Sequence, residues 1–183
     1  METVTTLPQS RPLTAADLEL MPDDGHRYEL IDGTLIVTPA PVPRHQVMVG
    51  ELYLLLRACC PPGLQVLLAP LDVVLAQDTV MQPDLLVTRR TDLTERNLPT
   101  APLLAIEVAS PSTRLVDLNL KRARYEQAGC PSYWVVDPHT VSLTAWELHD
   151  ERYIEVAHVV GNEVFEAGSP YVVRVVPADL LDE

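Results

Sequence analysis

The stretch 103-LLAIEVA-109 constrains the fold more than any other, because it is apolar at odd and even positions alike and holds a single acid. A strand of that kind has to be covered on both faces. The segment after it, 114-RLVDLNLKRARYEQAG-129, has helical spacing, with Ser112 or Thr113 placed to cap it and Gly129 to stop it. A second strong strand, 132-SYWVVD-137, then ends at Pro138. Strand, helix and strand in this order predict a right-handed parallel crossover at the centre of the molecule.

The flanking sequence fills in a mixed sheet. A short helix is expected over 13-LTAADLELMP-22 with Thr14 at its N-cap, and residues 1–12 read as loose. In 28-YELIDGTLIVTP-39, Asp32-Gly33 between two β-type runs signals a hairpin. A long helix is expected over 44–60, with Val47, Val49, Leu52, Leu55 and Leu56 on its apolar face and Pro61-Pro62-Gly63 as its stop. Strands are expected at 64–68, 71–76 and 84–88, and antiparallel hairpins over 141–176. The fold class is therefore α/β or α+β: one domain over 1–183, with its core about 28–138 and a mixed β-sheet flanked by helices.

Composition limits the function. The longest uncharged run, Ala58 to Leu71, is interrupted by three prolines and a glycine, so no membrane span is expected. The first residues lack the order of a secretion signal, which makes a cytoplasmic protein the expectation. Cys59 and Cys60 are adjacent and Cys130 is left over, so all three read as reduced packing residues. His26, His139, His149 and His158 share no zinc-type spacing. A formal net charge of −13 repels nucleic acid over the molecule as a whole, so a nucleic-acid role needs local arginines or a bound cation.

Three residues could form one site. An ionised carboxylate inside a buried strand is costly unless it is paired or metal-bound. Glu107 lies in such a strand, and Asp84 opens another directly after Pro83. Two acids on neighbouring strands can hold a hard cation such as Mg²⁺, which takes carboxylates, a carbonyl and waters. Lys121 is the only lysine, while the other basic residues are all arginine. A compact ammonium beside a metal can act on phosphate or on bound water, and Asp117 and Tyr125 share its helix face at four residues either side. Simpler readings stand beside this one. Asp117 and Lys121 could be an exposed i,i+4 pair, Glu107 could pair with Arg114 or Arg124, and Asp84 could merely start a strand.

As a set, 28-YELIDG-33, 43-PRHQ-46, 82-QPDLLV-87, 107-EVASPSTRLVDLNLKRARYEQAG-129 and 133-YWVVDP-138 resemble the Uma-two family of endonucleases, within the PD-(D/E)XK superfamily of restriction-endonuclease-like folds. The resemblance implies a Mg²⁺- or Mn²⁺-dependent endonuclease acting on DNA. Asp84, Glu107 and the Val108 carbonyl would be metal ligands, and Lys121 would be catalytic. In the wider superfamily the lysine follows the acid by two residues. Ala109 stands there in this chain, so the resemblance implies that the lysine has moved to Lys121 on the following helix. Glu29 matches a family acid and could be a third carboxylate. His45 could touch phosphate or line the site, and Arg44, Arg89, Arg90 and Arg114 could contact phosphate. The alternative is a non-enzymatic oligomeric binding or regulatory protein that keeps the fold. A homodimer is expected, because the C-terminal hairpins leave sheet edges to cover.

Overall fold

The computed structural model describes residues 11–22, 24–38, 40–110 and 116–181. The chain order is α1 (Ala15–Leu18), β1 (Arg27–Ile31), β2 (Thr34–Thr38), α2 (Pro43–Cys59), β3 (Leu64–Leu68), β4 (Val73–Ala76), β5 (Thr79–Met81), β6 (Leu85–Arg89) and β7 (Leu104–Val108). A π-helical turn, Val116–Lys121, then runs into α3 (Arg122–Gln127), followed by β8 (Ser132–Asp137), β9 (Ser142–His149), β10 (Arg152–Val160), β11 (Phe165–Ala167) and β12 (Val173–Val175). The expected cap at Ser112 or Thr113 lies outside the described residues, as does most of the stretch 1–12.

The main sheet has six strands in the order β10-β9-β8-β7-β6-β3. Its one parallel pair is β7 with β8, where Glu107 lies opposite Val135, and the π-turn and α3 form the connection. All five residues of β7 are buried, as a strand apolar on both faces requires. Period-2 alternation divides them. Leu104, Ile106 and Val108 join Met48, Leu52, Leu56 and Trp134 in the core beneath α2. Ala105 and Ala109 face the other way, toward Tyr125, Tyr133 and Trp146. Glu107 belongs to that second face, flanked by two of the smallest side chains in the strand, and the space they leave is where the site forms.

A second sheet, β2-β1-β5-β4, stands beside the first. Its β1–β2 hairpin turns at Asp32 and Gly33, both at positive φ (50° and 72°). Gly33 has a further reason to be glycine, since a Cβ there would meet Pro12 Cβ at 2.4 Å. Four details differ from the sequence reading. The helix expected over 13–22 is confined to Ala15–Leu18, with the Asp17 carboxylate accepting from the Thr14 N–H (2.7 Å). In α2 the buried stripe is His45, Met48, Val49, Leu52 and Leu56, so Val49, Leu52 and Leu56 lie on the expected face, Leu55 is partly buried beside it, and Val47 is exposed where Met48 and His45 are buried. Strand β5 lies between the strands expected at 71–76 and 84–88, where no element was expected. The C-terminal hairpins separate, with β9–β10 extending the main sheet and β11–β12 forming a sheet of their own.

The cysteines give a direct check on the packing. Cys59 is exposed, whereas Cys130 is buried, and burial pushes its thiol up to about 12. A thiol reagent at pH 8 should modify Cys59 quickly and reach Cys130 only on unfolding, because the thiolate is the reactive species. Mass mapping of the labelled native protein reads this out. Rapid native labelling of Cys130 would show that the face carrying Glu107 is loosely packed.

Candidate active site

A cavity of about 460 Å³ lies between the two sheets, and Glu29, Asp84, Glu107, Asp117, Lys121 and His45 are among the residues that line it. Each acid arrives from a different element. Arg27 and Glu29, two apart in β1, project from one face of that strand. Asp84 precedes β6, whose Leu85 pairs with Ile106, so Asp84 sits across from the end of β7 that carries Glu107. Asp117 and Lys121 lie one turn apart in the π-turn. That turn is held from below by Tyr133 of β8, whose hydroxyl donates to the Asp117 carbonyl (2.8 Å).

Lys121 is the hub. It is 3 % exposed, and its Nζ lies 2.9 Å from Glu29 Oε1, 3.2 Å from Glu107 Oε1 and 3.8 Å from Asp117 Oδ1. The reading of Asp117 and Lys121 as an ordinary exposed pair is therefore overturned. Burial works against the ammonium, but the charges of Glu107, Glu29 and Asp117 outweigh it and push its pKa up. Glu29, which sequence alone placed only as a possible accessory, is the closest acid to the ammonium. It also accepts from the Gln82 N–H (2.8 Å).

Asp84 has its own set of partners. Its Oδ1 accepts from Arg27 Nη1 (2.9 Å), and its Oδ2 accepts from the Val108 N–H (2.8 Å) and lies 3.1 Å from His45 Nε2. Burial opposes ionisation, yet the hydrogen bond with His45 and the charge of Arg27 overcome it and hold the carboxyl at about 2. Glu107 behaves oppositely. Burial, with Lys121 only partly offsetting it and Asp117, Asp84 and Glu29 adding to it, pushes its carboxyl well above the usual range. The two acids thus sit in one cavity with opposite protonation tendencies, a pattern concentrated at functional sites.

The other expected residues divide. Arg44 lines the cavity, and its Nε donates to the Pro138 carbonyl (3.1 Å). Tyr125 is fully buried, and its hydroxyl has no hydrogen-bond partner among the described residues, so it does not hold the ammonium as its spacing suggested. Burial and the charges of Glu107 and Glu29 keep that hydroxyl protonated. Arg89 and Arg90 are not at this site: the strand carries them away, where Arg89 pairs with Asp92 (3.5 Å) and Arg90 donates to the Leu64 carbonyl (3.3 Å). Arg114 lies outside the described residues. Arg27 was missed. Its signal was the alternation Arg27-Tyr28-Glu29, which sends a cation and an acid to the same face.

Among the described residues no three His, Cys, Asp or Glu side chains already stand together as a ligand group. Instead, four buried carboxylates (Glu29, Asp84, Glu107 and Asp117) meet two protein cations, Lys121 and Arg27. With all four ionised, negative charge is in excess, and every candidate ligand is a hard oxygen. Such a set fits a hard cation of the Mg²⁺ or Mn²⁺ type.

A mixed sheet with an acid-lined cleft at the end of its central strands is the architecture of a nuclease-like α+β fold. The fold alone is similar to that in the crystal structure of a putative nuclease belonging to DUF820 from Anabaena variabilis ATCC 29413, with a TM-score of 0.73 at 17% identity over 92% of this chain and 97% of that one. The chain belongs to the Uma2 family, described as "Putative restriction endonuclease", which matches residues 15–171. No curated protein matches it. Among the described residues no helix is long and apolar enough to cross a membrane.

Proposed function

We propose that the chain is a Mg²⁺-dependent endonuclease that hydrolyses phosphodiester bonds in DNA, with Mn²⁺ as a substitute. The observation that carries this is the buried lysine ringed by acids in a cavity that also holds Asp84. Asp84, Glu107 and the Val108 carbonyl would hold the ion, with Glu29 as a further carboxylate. When bound, the ion would neutralise the scissile phosphate and lower the pKa of a coordinated water. The residues of the chain supply the rest. Glu107 holds a proton more tightly than a free carboxyl does, through burial and its acidic neighbours, and positive charge in the cavity would oppose that tendency. Lys121, then shared less tightly among its acids, presents its ammonium to phosphate oxygen or to the attacking water. His45 and the Val108 N–H keep Asp84 ionised and fixed in direction.

The expected result is metal-dependent nicking or cutting of DNA, assayed on duplex, single-stranded and branched forms. Binding should be weak in chelator and should fall with salt, because few phosphates are neutralised by so acidic a protein. Mg²⁺ at a hundredfold excess over its Kd should add about 2.7 kcal/mol of stability, roughly 5–10 °C in Tm. Asp84→Ala should remove the response. A melting temperature indifferent to Mg²⁺ and Mn²⁺, with no cleavage of any form, would favour the non-enzymatic alternative. The proposal includes a homodimer through β10, one of the two edge strands of the main sheet, where Ile154, Val156 and Val160 are exposed. Sedimentation velocity tests it.

A further inference from the structure

We propose that Arg27 is a phosphate-binding residue of this site, anchored on Asp84 along one edge and open to a phosphodiester along the other. The inference rests on the nuclease reading and adds a residue to it.

The geometry has three parts. First, both hydrogen bonds of the guanidinium come from one nitrogen: Nη1 donates to Asp84 Oδ1 (2.9 Å) and to the Gln82 carbonyl (3.1 Å). Second, Nε and Nη2 have no hydrogen-bond partner among the described residues and are not among the buried polar atoms that lack one, and the side chain is 21 % exposed, so these donors remain accessible. Third, Arg27 lines two cavities at once. One is the acid-lined cavity; the other, of about 710 Å³, shares Arg27, His45 and Asp84 with it. An arginine fixed on one side and free on the other is a pre-oriented fork, the geometry that recognises phosphate oxygens in pairs.

Chemistry explains why this position matters. The protein carries a formal net charge of −13, so phosphate has to be met by cations placed at the site. Lys121 is enclosed by three acids and fully buried, whereas Arg27 keeps donors on the cavity side. Asp84 beside it repels a phosphate until a divalent ion takes up part of that charge. Arg27 therefore binds phosphate only when the cation is present, which couples substrate binding to metal loading.

The test compares the parent with Arg27→Gln and Arg27→Lys, using a fluorescent duplex DNA and Ca²⁺ in place of Mg²⁺ to hold the complex without turnover. Kd is measured across a salt series, and the Ca²⁺-induced rise in Tm reports that each variant is folded and still takes the ion. Arg27→Gln should weaken binding roughly 10- to 100-fold, the loss of hydrogen bonds to a charged group. Its plot of log K against log salt should also flatten by about 0.9, one phosphate contact. Arg27→Lys keeps the charge but not the fork. It should keep the parent's salt slope and bind with intermediate affinity, which also covers the case of a poorly folded glutamine variant. Weakened binding with an unchanged slope in Arg27→Gln would mean that Arg27 only props up Asp84, and it would overturn the proposal. So would parent-like affinity and slope, while the nuclease reading stood. A parent that binds no DNA in Ca²⁺ and cleaves none in Mg²⁺ would overturn both.

Discussion

Lys121→Met should lose roughly 3–5 kcal/mol of stability in chelator, regain much of it in Mg²⁺, and cleave no DNA. The first figure is the usual cost of removing one partner from a buried ion pair, which leaves its opposite charges uncompensated. Here three acids lose the same cation at once: Glu29, Glu107 and Asp117. Proton uptake by Glu107 will soften the loss. A divalent ion will do more, since it can replace the tethered charge, so the Mg²⁺-induced rise in Tm should be larger in the variant than in the parent. Lys121→Arg sharpens the point. A guanidinium is broader and the site is closed, so overpacking of about 1–3 kcal/mol is expected. Cleavage should fall on the order of 10²–10³-fold, because the point charge that developing negative charge requires has been replaced by a plane. Thermal melts with and without Mg²⁺, alongside single-turnover cleavage, separate these effects. A Lys121→Met protein as stable in chelator as its parent would mean that the hub contributes nothing to the fold. Full cleavage by Lys121→Arg would make the single lysine an accident of composition.

The two acids at the ends of β6 and β7 should respond to neutralisation in opposite directions. Asp84 is held at about 2, below the ordinary 3.8, so its ionised form stabilises the fold at neutral pH. That contribution is complete above 3.8 and is lost as pH falls from there through 2. Asp84→Asn should cost about 2 kcal/mol at pH 7, leaving Arg27 without its counter-charge and the His45 hydrogen bond weakened. Glu107 is displaced upward, so the native state holds its proton more tightly than the unfolded chain does. Stability from this group is present at low pH and drains away as pH rises through its elevated value. Glu107→Gln should therefore raise stability in chelator at neutral pH by about 1 kcal/mol, or 2–4 °C. Both substitutions should abolish the Mg²⁺ response and cleavage. Chelator melts from pH 4 to 9 decide the matter: two destabilised variants would mean that Glu107 is an ordinary structural acid.

The parts of this molecule that could be read from the chain are those where a local pattern had one physical solution. The apolar run around Glu107, a helical stretch and 132-SYWVVD-137 admitted only a parallel crossover. Asp32-Gly33 between β-type runs admitted only a tight hairpin. Three residues of β5 were too few to show a period, and so the second sheet went unseen. On α2, Val47 was taken for a buried position in place of Met48 because the two are equally apolar, and only tertiary contact chooses Met48. His45, which the sequence offered as a candidate for the site, lies on the same buried stripe and faces Asp84. Arg27 gave only the weak signal of sharing a strand face with Glu29, since its partner Asp84 is 57 residues away and no spacing rule connects them. The acids and the lysine stood out because charge in an apolar context is costly. An arginine at a half-buried strand start is not.

The π-turn that carries Asp117 and Lys121 has a consequence for how this chain can change over time. A π-turn holds one more residue than an α-turn, and such insertions sit in helices mostly where function keeps them. Losing a single codon between Val116 and Lys121 would let the segment relax into regular α-helix, with better hydrogen bonds and an intact sheet. The flanks would stay nearly in phase, because the π-turn absorbs its extra residue by turning less per residue. What would change is local: Asp117 and Lys121 would stand three residues apart instead of four, and the ammonium would shift against Glu29 and Glu107. Such a deletion would pass any screen for expression or solubility and would fail every screen for chemistry. Among natural variants of this chain, segment length between β7 and α3 is therefore a better marker of a working site than the identity of any one acid.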